Sequence, residues 1–434
     1  MNWTGKKIHF IGIKGVGMSA LASFLKNEGA FISGSDVEEK FQTESVLEKI
    51  GITPKIFSEK NIAPDLDLII YTPAFDAKNI ERIKANELRI KELSYGEALS
   101  QFAKDKNVIV ITGTHGKTTT TAILGQIFEA GGLDPSVLVG DNVKAWQGPV
   151  RIGKSKWFIV EGDEYQEKFR LFKPKAIIIP SLDYDHPDYF KNKEVYLKSF
   201  YDFLNENKNA KLVTTVSVLE ALKARGETFD VEDKKIFTES NFILPGEAYK
   251  SNCMLAIKMA RIFGISADDI KHGISNFQGV GRRLDFYTKE NDSIFVVYDY
   301  AHHPAEIKTT ILALSSKYSE HTLVAVFQPH TYSRTKTFID EFAQSFEKVY
   351  AVFFAEIYAS QREAAGDINI ENLIIKTHKL QPRVYRLRDF EPETLKKYCL
   401  KLEKPLILFM GAGDIWRYAE KFAELISSVQ LNPH

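Results

Sequence analysis

The stretch Val108-Ile-Val-Ile-Thr-Gly-Thr-His-Gly-Lys-Thr-Thr-Thr-Thr-Ala-Ile-Leu124 decides the fold of this chain, because an apolar run turns through two glycines into a helical pattern. A strand, a glycine loop and a helix in this order predict an α/β unit whose loop binds phosphate. We expect the backbone N–H groups of Gly113 to Lys117 to surround phosphate oxygens at the positive end of the helix. The Lys117 ammonium and the Thr118 hydroxyl are suited to phosphate and Mg²⁺.

This loop does not follow the general phosphate-loop pattern, which requires a glycine five residues before Gly116. The chain has Ile111 at that position. A glycine-rich structural turn is therefore the alternative interpretation. We favour phosphate binding, because a lysine followed by four threonines at the start of a helix has no packing role.

Length and composition narrow the class of protein. A chain of 434 residues is too long for one core and predicts about two to four domains, and 44% hydrophobic with 26% charged residues is typical of a globular protein. The balance of 57 basic and 57 acidic residues argues against broad nucleic-acid binding. The only cysteines, Cys253 and Cys399, exclude a disulfide scaffold and a four-thiolate metal site, and they favour a reducing compartment. Because we find no signal region and no apolar run of 18 residues, we expect a cytoplasmic protein that does not cross a membrane.

A second glycine loop stands near the start of the chain, in Ile8-His-Phe-Ile-Gly-Ile-Lys-Gly-Val-Gly-Met-Ser-Ala-Leu-Ala22. Its three glycines let the backbone approach a pyrophosphate, and Asp36, at the end of the next predicted strand, is placed to meet a ribose. A tight turn, or a loop for a different nucleotide, is the alternative. Residues 1–104 are predicted to form one α/β domain with alternating strands and helices.

Acidic residues and one histidine follow two apolar runs of the predicted central domain, residues 105–283. They are Glu161-Gly-Asp-Glu164 after the run 156–160, and Asp183, Asp185 and His186 after the run 176–180. Parallel strands place such residues at the sheet edge that also carries the phosphate loop, so we predict a Mg²⁺ site from Thr118, Glu161 and His186. Solvated strand ends are the alternative. Residues 205–244 look charged and less regular, with one strand at 211–215.

The predicted third domain, residues 284–434, repeats the α/β pattern and carries polar motifs after its strands. They are Asp299-Tyr-Ala-His-His-Pro304, Gln328-Pro-His-Thr-Tyr-Ser-Arg334 and Gly411-Ala-Gly-Asp414. Three histidines beside Arg334 favour a site for a carboxylate or another anion. The preceding Gly279-Val-Gly-Arg-Arg-Leu284 is interpreted as a hinge with arginines near a nucleotide, the alternative being surface arginines.

Together these motifs resemble the Mur ligase family over nearly the whole chain, and the stretch 327–335 resembles its alanine-adding branch. The resemblance implies three domains: a Rossmann-like N-terminal domain for a UDP-sugar, a P-loop ATPase domain with a mostly parallel sheet, and a Rossmann-like C-terminal domain that closes over ATP and the amino acid. It implies that L-alanine is joined to the lactyl carboxylate of UDP-N-acetylmuramate through an acyl phosphate. That reaction is the first peptide step in making the peptidoglycan precursor.

The predicted site residues combine the motifs with this resemblance. For ATP they are Gly113, Thr114, His115, Gly116, Lys117, Thr118, Thr119, Asn252, Arg283 and Asp299. For the UDP-sugar they are Gly12, Lys14, Gly15, Val16, Gly17, Met18, Asp36, Thr72 and Arg151. For the amino acid they are Tyr300, His302, His330 and Arg334. For Mg²⁺ they are Thr118, Glu161 and His186. The residues expected to take part in catalysis are Lys117, Glu161, His186, His302, His330 and Arg334.

Several positions depart from the family pattern. Lys14 stands where the family usually has glycine, so it either adds a cation near the diphosphate or marks a shifted loop. Gly148-Pro-Val-Arg151 keeps only the arginine of a sugar-holding segment. Ala248 and Tyr249 replace a histidine and an asparagine near the adenine, and the region 215–244 is short where relatives carry extra strands.

Two alternatives to the alanine ligase are a ligase of the same family that re-attaches a recycled tripeptide and a nucleotide-binding protein without turnover. We expect small-molecule partners only, with ATP and Mg²⁺ as cofactors, neither nucleic acid nor membrane, and a monomer or weak homodimer.

Overall fold

The computed structural model describes residues 2–39, 41, 43–359 and 368–427. They form two compact units. The first contains the described residues up to Asp183 together with Leu197–Phe242 and Asn252–Val280, and the second contains Tyr184–Tyr196, Ile243–Ser251 and the described residues from Gly281 onward.

The first sheet has five parallel strands in the order β3-β2-β1-β4-β5. Its strands are β1 (Lys7–Ile11), β2 (Phe31–Asp36), β3 (Lys55–Ile56), β4 (Leu68–Tyr71) and β5 (Glu92–Ser94). Its helices are α1 (Val16–Asn27), α2 (Glu44–Lys49), α3 (Ile80–Glu87) and α4 (Tyr95–Ala103). The first glycine loop joins the central strand β1 to α1, so it lies at the carboxyl edge of the sheet as predicted.

The second sheet has six strands in the order β11-β10-β6-β9-β7-β8, and only β8 runs antiparallel to its neighbour. Its strands are β6 (Asn107–Ile111), β7 (Ser136–Val143), β8 (Gly148–Arg151), β9 (Trp157–Glu161), β10 (Ala176–Ile179) and β11 (Lys211–Thr214). The helices of this part of the chain are α5 (Lys117–Ala130), α6 (Lys193–Glu206), α7 (Val216–Leu222), α8 (Val231–Thr238), α9 (Glu247–Ile262) and α10 (Ala267–Ser275).

The third sheet lies in the second unit and has six strands in the order β12-β13-β17-β14-β15-β16, with only β12 antiparallel. Its strands are β12 (Asp285–Phe286), β13 (Phe295–Asp299), β14 (Thr322–Phe327), β15 (Ala351–Phe354), β16 (Val384–Arg386) and β17 (Pro405–Met410). Its helices are α11 (Pro304–Lys317), α12 (Tyr332–Thr337), α13 (Ile339–Ser345), α14 (Ile370–His378), α15 (Pro392–Cys399) and α16 (Ile415–Ser427). The predicted three-part α/β fold with mostly parallel sheets is confirmed.

An aromatic cluster joins the cores of the first two sheets within the first unit. Phe24 of α1 stacks on Phe102 of α4 with ring centroids 5.0 Å apart. Phe158 of β9 meets both rings edge-on, at 5.6 Å and 5.3 Å. All three side chains are buried. We call Phe24, Phe102 and Phe158 the aromatic cluster; it makes the two domains share one core.

The prediction of little regular structure in residues 205–244 was wrong apart from its strand, because the structure has two helices there, α7 and α8. Asp230 caps α8 by accepting the N–H groups of Glu232 and Asp233, and Arg261 binds both aspartates at 2.8 Å and 2.6 Å. Capping and ion pairing stabilise a helix whose apolar pattern is weak.

Two further expectations concern cysteines and membranes. Cys253 and Cys399 are buried free thiols, and burial raises the pKa of both above the ordinary value, so both belong to the core. Across the described part of the chain, no helix has the length and apolar character needed to cross a membrane.

Replacing Phe158 by alanine should destabilise the first unit by about 3–5 kcal/mol, because a buried ring that touches two others leaves a cavity. Thermal unfolding followed by circular dichroism measures the effect. The matched control is Phe31→Ala, since the Phe31 ring is 66% exposed and its loss should shift the transition little. Equal shifts for both variants would contradict the assigned core.

Candidate active site

The phosphate loop occupies residues 112–116, between the end of β6 and the start of α5. Gly113 and Gly116 have φ values of 125° and 82°, a region that favours glycine. A Cβ atom at Gly113 would lie 2.5 Å from the Ser181 carbonyl oxygen, and one at Gly116 would lie 2.4 Å from Asn252 Oδ1. The loop has two residues between its glycines where the general pattern has four, and Ile111, at the position of the missing glycine, still belongs to the strand.

Residues that follow β10 hold this loop in place. Ser181 accepts the N–H of Thr114 on its carbonyl at 3.0 Å and the N–H of His115 on its hydroxyl at 2.8 Å. The Thr114 hydroxyl bonds to both the carbonyl and the N–H of Asp183, at 2.7 Å and 2.8 Å. These contacts fix a loop that leads directly into the N-terminus of α5, where the first N–H groups have no earlier helical carbonyl to bind and carry partial positive charge.

Lys117 is the first residue of α5, and its ammonium is bound at three oxygens. It donates to the carbonyls of Gly113 and Thr114 at 2.8 Å each and pairs with Glu164 at 2.8 Å. Burial by itself would lower the pKa of Lys117, but Glu164 and Glu161 raise it above the ordinary value, so the lysine is charged. A charged ammonium turned back over the loop is what a phosphate site requires.

Thr118 and Glu161 form an oxygen pair beside the loop. The Thr118 hydroxyl donates to Glu161 Oε1 at 2.9 Å, and the N–H of Gly140 donates to Oε2 at 2.7 Å. A hydroxyl and a carboxylate next to a phosphate loop match the hard-oxygen preference of Mg²⁺, so these two residues fit the ion. The predicted role of His186 in the same site stays a prediction, because His186 belongs to the second unit.

Other predicted ATP residues surround the loop within the first unit. His115 lies 3.3 Å from Asp183 through its Nε2, Thr119 is buried, and Asn252 of α9 packs against Gly116. Their direct contact with ATP stays a prediction.

The first glycine loop is shaped by the end of β2. The N–H groups of Gly12 and Ile13 donate to the Ser35 carbonyl at 2.9 Å and 3.1 Å. Asp36 accepts the N–H of Lys14 at 2.7 Å on one oxygen and the N–H of Val37 at 2.8 Å on the other. Asp36 therefore organises the loop, and its predicted bond to a ribose stays a prediction.

The remaining UDP-sugar candidates lie around the same loop, with one exception. Thr72 packs its methyl group where a Cβ of Gly12 would be, at 2.3 Å, and Tyr95 closes off Gly17 at 2.5 Å in the same way. Gly15 and Val16 begin α1, and Met18 is buried in it. The exception is Arg151 of β8.

The guanidinium of Arg151 is used within its own domain. It bonds to Glu129 at 3.0 Å, to Asp134 at 2.8 Å and to the Pro135 carbonyl at 2.6 Å. Burial would lower the pKa of Arg151, but the two carboxylates raise it. Any substrate contact of Arg151 would compete with these three bonds.

The second unit contains a buried ion pair that links the residues after β10 to the start of α12. Arg334 donates from Nε to Asp185 Oδ1 at 2.9 Å and from the guanidinium to Oδ2 at 3.2 Å. Both side chains are buried, with 5% of their surface exposed. Burial would raise the pKa of Asp185, but Arg334 and His186 hold it well below the ordinary value. Arg334 is thus fixed by a carboxylate of the chain rather than left free for one of a substrate.

His330 extends this pair. The Arg334 guanidinium lies 3.2 Å from His330 Nδ1 and donates to its carbonyl at 3.2 Å, while the imidazole stacks on Tyr358 with centroids 5.7 Å apart. The next residue, Thr331, has φ 71°, which is an unfavourable region for a β-branched residue. Such strain is held by the surrounding bonds and is common at functional positions.

His302 and His303 begin α11 and have different surroundings. His303 accepts the N–H of Ala305 on Nδ1 at 3.3 Å, so its Nε2 carries the proton that faces the Tyr184 carbonyl at 3.3 Å. His302 Nδ1 lies 3.1 Å from the Tyr300 carbonyl and 3.4 Å from Glu306, so it carries the proton and leaves Nε2 as an acceptor. Burial lowers the pKa of His302 from 6.5 to about 3, and His302 is therefore neutral at pH 7.

Asp299 ends β13 in a buried position. Its oxygens accept the N–H groups of Ala301 at 2.8 Å and Leu284 at 2.9 Å, and the Tyr249 hydroxyl at 3.2 Å. Burial raises the pKa of Asp299 to about 6, although the nearby Arg283 lowers it. The family departure at Tyr249 therefore supplies a hydrogen bond to a residue predicted to face ATP.

Arg282 and Arg283 both lie over the ring of Tyr300, at 4.7 Å and 4.6 Å from its centroid. These two arginines are therefore packed against the motif that follows β13, and both the hinge interpretation and the alternative of surface arginines stay predictions. The contact of Arg283 with ATP and the contact of Tyr300 with the amino acid stay predictions.

Four residues with structural roles in the site were missed from the sequence as site residues: Glu164, Asp185, Glu306 and Tyr249. Glu164 and Asp185 lie inside motifs that had been recognised. The available signal was charge matching, since a buried lysine or arginine needs a carboxylate partner. Glu306 was detectable as the third residue after the helix cap His303, the position of a capping box.

Three family models match the chain in succession. They are described as "Mur ligase family, catalytic domain" over residues 7–107, "Mur ligase middle domain" over residues 111–242 and "Mur ligase, glutamate ligase domain" over residues 282–413. With the phosphate loop and its oxygen pair in the middle one of three α/β domains, these matches define an ATP-dependent acid–amino-acid ligase. The chain belongs to the Mur ligase family.

Curated relatives point to one branch of the family. The UDP-N-acetylmuramate–L-alanine ligase of Clostridium kluyveri is 35% identical over 450 residues, which cover 96% of this chain and 98% of that protein. The protein of the same name from Clostridium perfringens is 36% identical over 453 residues, covering 96% and 97%. The predicted boundaries between the domains, after residues 104 and 283, stay predictions.

Solved structures share the fold at low identity. The UDP-N-acetylmuramate-alanine ligase from Thermotoga maritima superposes with a TM-score of 0.76 at 24% identity, covering 98% of this chain and 99% of that one. A murein peptide ligase from Psychrobacter arcticus gives a TM-score of 0.66 at 21% identity, covering 99% and 100%.

Replacing Asp185 by asparagine should lower the free energy of unfolding of the second unit by about 3–5 kcal/mol, because Arg334 would stay buried without a charged partner. Denaturant titration measures the loss. The control is Asp340→Asn, which removes the carboxylate of the exposed pair with Lys376 in the same unit and should have little effect. If the free energy of unfolding of Asp185→Asn is unchanged, the ion pair with Asp185 is not what holds Arg334.

The lowered pKa of His302 predicts a pH dependence of stability. Between pH 6.5 and about 3 the unfolded chain binds a proton at this residue while the folded one does not, so the free energy of unfolding should fall as the pH falls through that range. The His302→Asn variant should show a shallower fall in the same range. Above pH 7.5 the two proteins should have parallel curves, which serves as the internal control; parallel curves at every pH would contradict the assignment.

Proposed function

We propose that this protein joins L-alanine to the lactyl carboxylate of UDP-N-acetylmuramate at the expense of ATP, releasing ADP and phosphate. The observation that carries the proposal is the match to relatives of that name over 96% of the chain. It is supported by the glycine loop, where the Lys117 ammonium bonds to the Gly113 carbonyl and the Thr118 hydroxyl to Glu161.

The proposed reaction has two steps. A lactyl carboxylate oxygen attacks the γ-phosphorus of ATP, the bond to the β-phosphate oxygen breaks, and an acyl phosphate and ADP result. The neutral amine of L-alanine then attacks the acyl carbon, the carbon–oxygen bond to phosphate breaks, and the amine proton is lost to solvent or a base. Both steps develop negative charge on phosphoryl or carbonyl oxygens, so cations and positioning supply the catalysis.

The residues of the first unit serve the phosphoryl group in this scheme. Lys117 and the N–H groups at the start of α5 bind the β- and γ-phosphates, and the Lys117 ammonium exchanges its bond to a loop carbonyl for one to phosphate. Thr118 and Glu161 hold Mg²⁺, which neutralises phosphate charge when bound. Glu164 keeps the ammonium charged and directed at the loop.

The residues of the second unit serve the amine in this scheme. His302 is neutral at pH 7 and presents Nε2 as an acceptor, so it is suited to bind the amino group of L-alanine and hold it for attack. His330 is oriented by Arg334, whose guanidinium is in turn held by Asp185. We assign Arg334 to holding His330, since the charge of Arg334 is compensated by Asp185.

Phosphate release by the purified protein tests the proposal. The assay contains Mg²⁺-ATP, UDP-N-acetylmuramate and one of L-alanine, L-serine, glycine or a tripeptide, and each component is omitted in turn. Release should require both the sugar nucleotide and L-alanine. If phosphate is released only when the tripeptide is the acceptor, the recycling ligase is favoured. If ATP or the UDP-sugar binds but no acceptor causes phosphate release, the nucleotide-binding protein without turnover is favoured. The cytoplasmic location and the oligomeric state stay predictions.

Replacing Lys117 by alanine should lower the rate about 100- to 1000-fold, because the loop would lose the ammonium that is proposed to bind the phosphates. Steady-state phosphate release gives the measurement. The matched control is Lys168→Ala, since Lys168 is another lysine beside the same acidic stretch, paired with Asp163 at 2.6 Å, and its side chain is 39% exposed. A Lys168→Ala variant as slow as Lys117→Ala would mean that charge near the acidic stretch, and not contact with phosphate, is what matters.

A further inference from the structure

Lys14 lies inside the first glycine loop, and every polar group it has is bonded to residues at or after the end of β2. Its N–H donates to Asp36 at 2.7 Å, and its carbonyl accepts the Thr43 hydroxyl. Its ammonium donates to the carbonyls of Val37 at 2.9 Å and Glu39 at 2.7 Å and pairs with Glu44 at 2.9 Å. We call this set the Lys14 clasp: Lys14, Asp36, Val37, Glu39, Thr43 and Glu44.

The ammonium of Lys14 is fully used in the clasp. An ammonium has three N–H groups, and three oxygens lie within 2.9 Å of it. The side chain is also buried, with 8% of its surface exposed. Lys14 therefore has no donor left for a diphosphate, and the interpretation of Lys14 as a cation that touches the substrate loses its support.

The clasp acts on the part of the loop that is expected to bind phosphate. Gly12 and Ile13 donate their N–H groups to the Ser35 carbonyl, and Lys14 continues this attachment to Asp36. Gly15 follows directly as the cap of α1, whose first N–H groups form the positive end of the helix. The position of those groups thus depends on a lysine that stands where the family usually has glycine.

We propose that Lys14 is a positioning residue for the sugar nucleotide: the Lys14 clasp holds the glycine loop and the start of α1 in the geometry that binds the diphosphate, before the substrate arrives. A loop already ordered loses less conformational entropy on binding, so the clasp raises affinity without touching the ligand. The identity of the ligand rests on the proposed function, whereas the ordering of the loop does not.

Binding measured by calorimetry with the full chain tests the proposal, with UDP-N-acetylmuramate and ATP as separate ligands. Lys14→Met should weaken binding of the sugar nucleotide about tenfold and leave ATP affinity within twofold. In turnover, KM for the sugar nucleotide should rise by the same factor while kcat stays within threefold. The matched control is Lys26→Met, which removes a lysine in the last turn of α1 whose ammonium also bonds to a carbonyl, that of Ile50. It should change neither affinity.

Glu44→Ala separates positioning from direct contact. If the clasp positions the loop, losing Glu44 weakens sugar-nucleotide binding in the same direction as Lys14→Met, and the double variant is no weaker than Lys14→Met alone. If Lys14 touches the diphosphate, Glu44→Ala releases the ammonium and affinity stays equal or improves, which overturns the proposal. Thr43→Val removes the bond between the Thr43 hydroxyl and the Lys14 carbonyl and should also weaken binding. Agreement between these variants would show that the effect does not come from a folding defect of one of them.

Hydrogen exchange of the ligand-free protein distinguishes failure of this proposal from failure of the proposed function. Amides of residues 12–16 should exchange faster in Lys14→Met than in the parent chain, whatever the ligand is. Unchanged exchange overturns the clasp. If exchange is faster in Lys14→Met but the parent chain does not bind the sugar nucleotide, the clasp is supported and the proposed function is rejected.

Discussion

The charge of one buried lysine is the constraint on which the first unit depends. Lys117 is bound to two loop carbonyls and to Glu164, and it can stay charged in this position only because carboxylates surround it. Removing a charge from water is costly unless it is paired and hydrogen-bonded. The acidic stretch that begins at the end of β9 therefore has one observed role and one proposed role: Glu164 keeps Lys117 charged, and Glu161 is proposed to supply an oxygen to Mg²⁺.

The second unit also contains buried ionisable groups, but there the buried cation is paired with a single carboxylate. There Arg334 and Asp185 neutralise each other, His302 is neutral, and Asp299 is a carboxylate whose pKa is raised to about 6 by burial. Of these groups, His302 is neutral at pH 7 and Arg334 is compensated by Asp185, whereas Asp299 is mostly ionised at pH 7 and lies near Arg283. The neutral His302 suits the proposed amine nucleophile, because a negative charge in its place would favour the protonated, unreactive form of the amine.

Much of the fold was predictable from the sequence, because strands such as β6 and β17 are apolar runs and glycine loops mark their ends. The elements that escaped prediction are short strands of two to four residues and the helices α7 and α8. Of these helices, α8 is held by a cap and ion pairs more than by an apolar face. The motifs were predicted with their positions along the chain. Their internal pairing was not, since the partner of Arg334 lies 149 positions away and only the folded chain brings Asp185 to it.

The aromatic cluster has a consequence for exchanging parts between relatives. Because Phe24 and Phe102 pack on Phe158, the first two domains cannot be treated as separate modules, although each has its own sheet and its own glycine loop. A chimera that takes its N-terminal domain from a relative would need matching ring positions in the central domain as well. Sequence change in the two domains is accordingly expected to be coupled at these three positions, so the unit of inheritance is the pair of domains rather than either one.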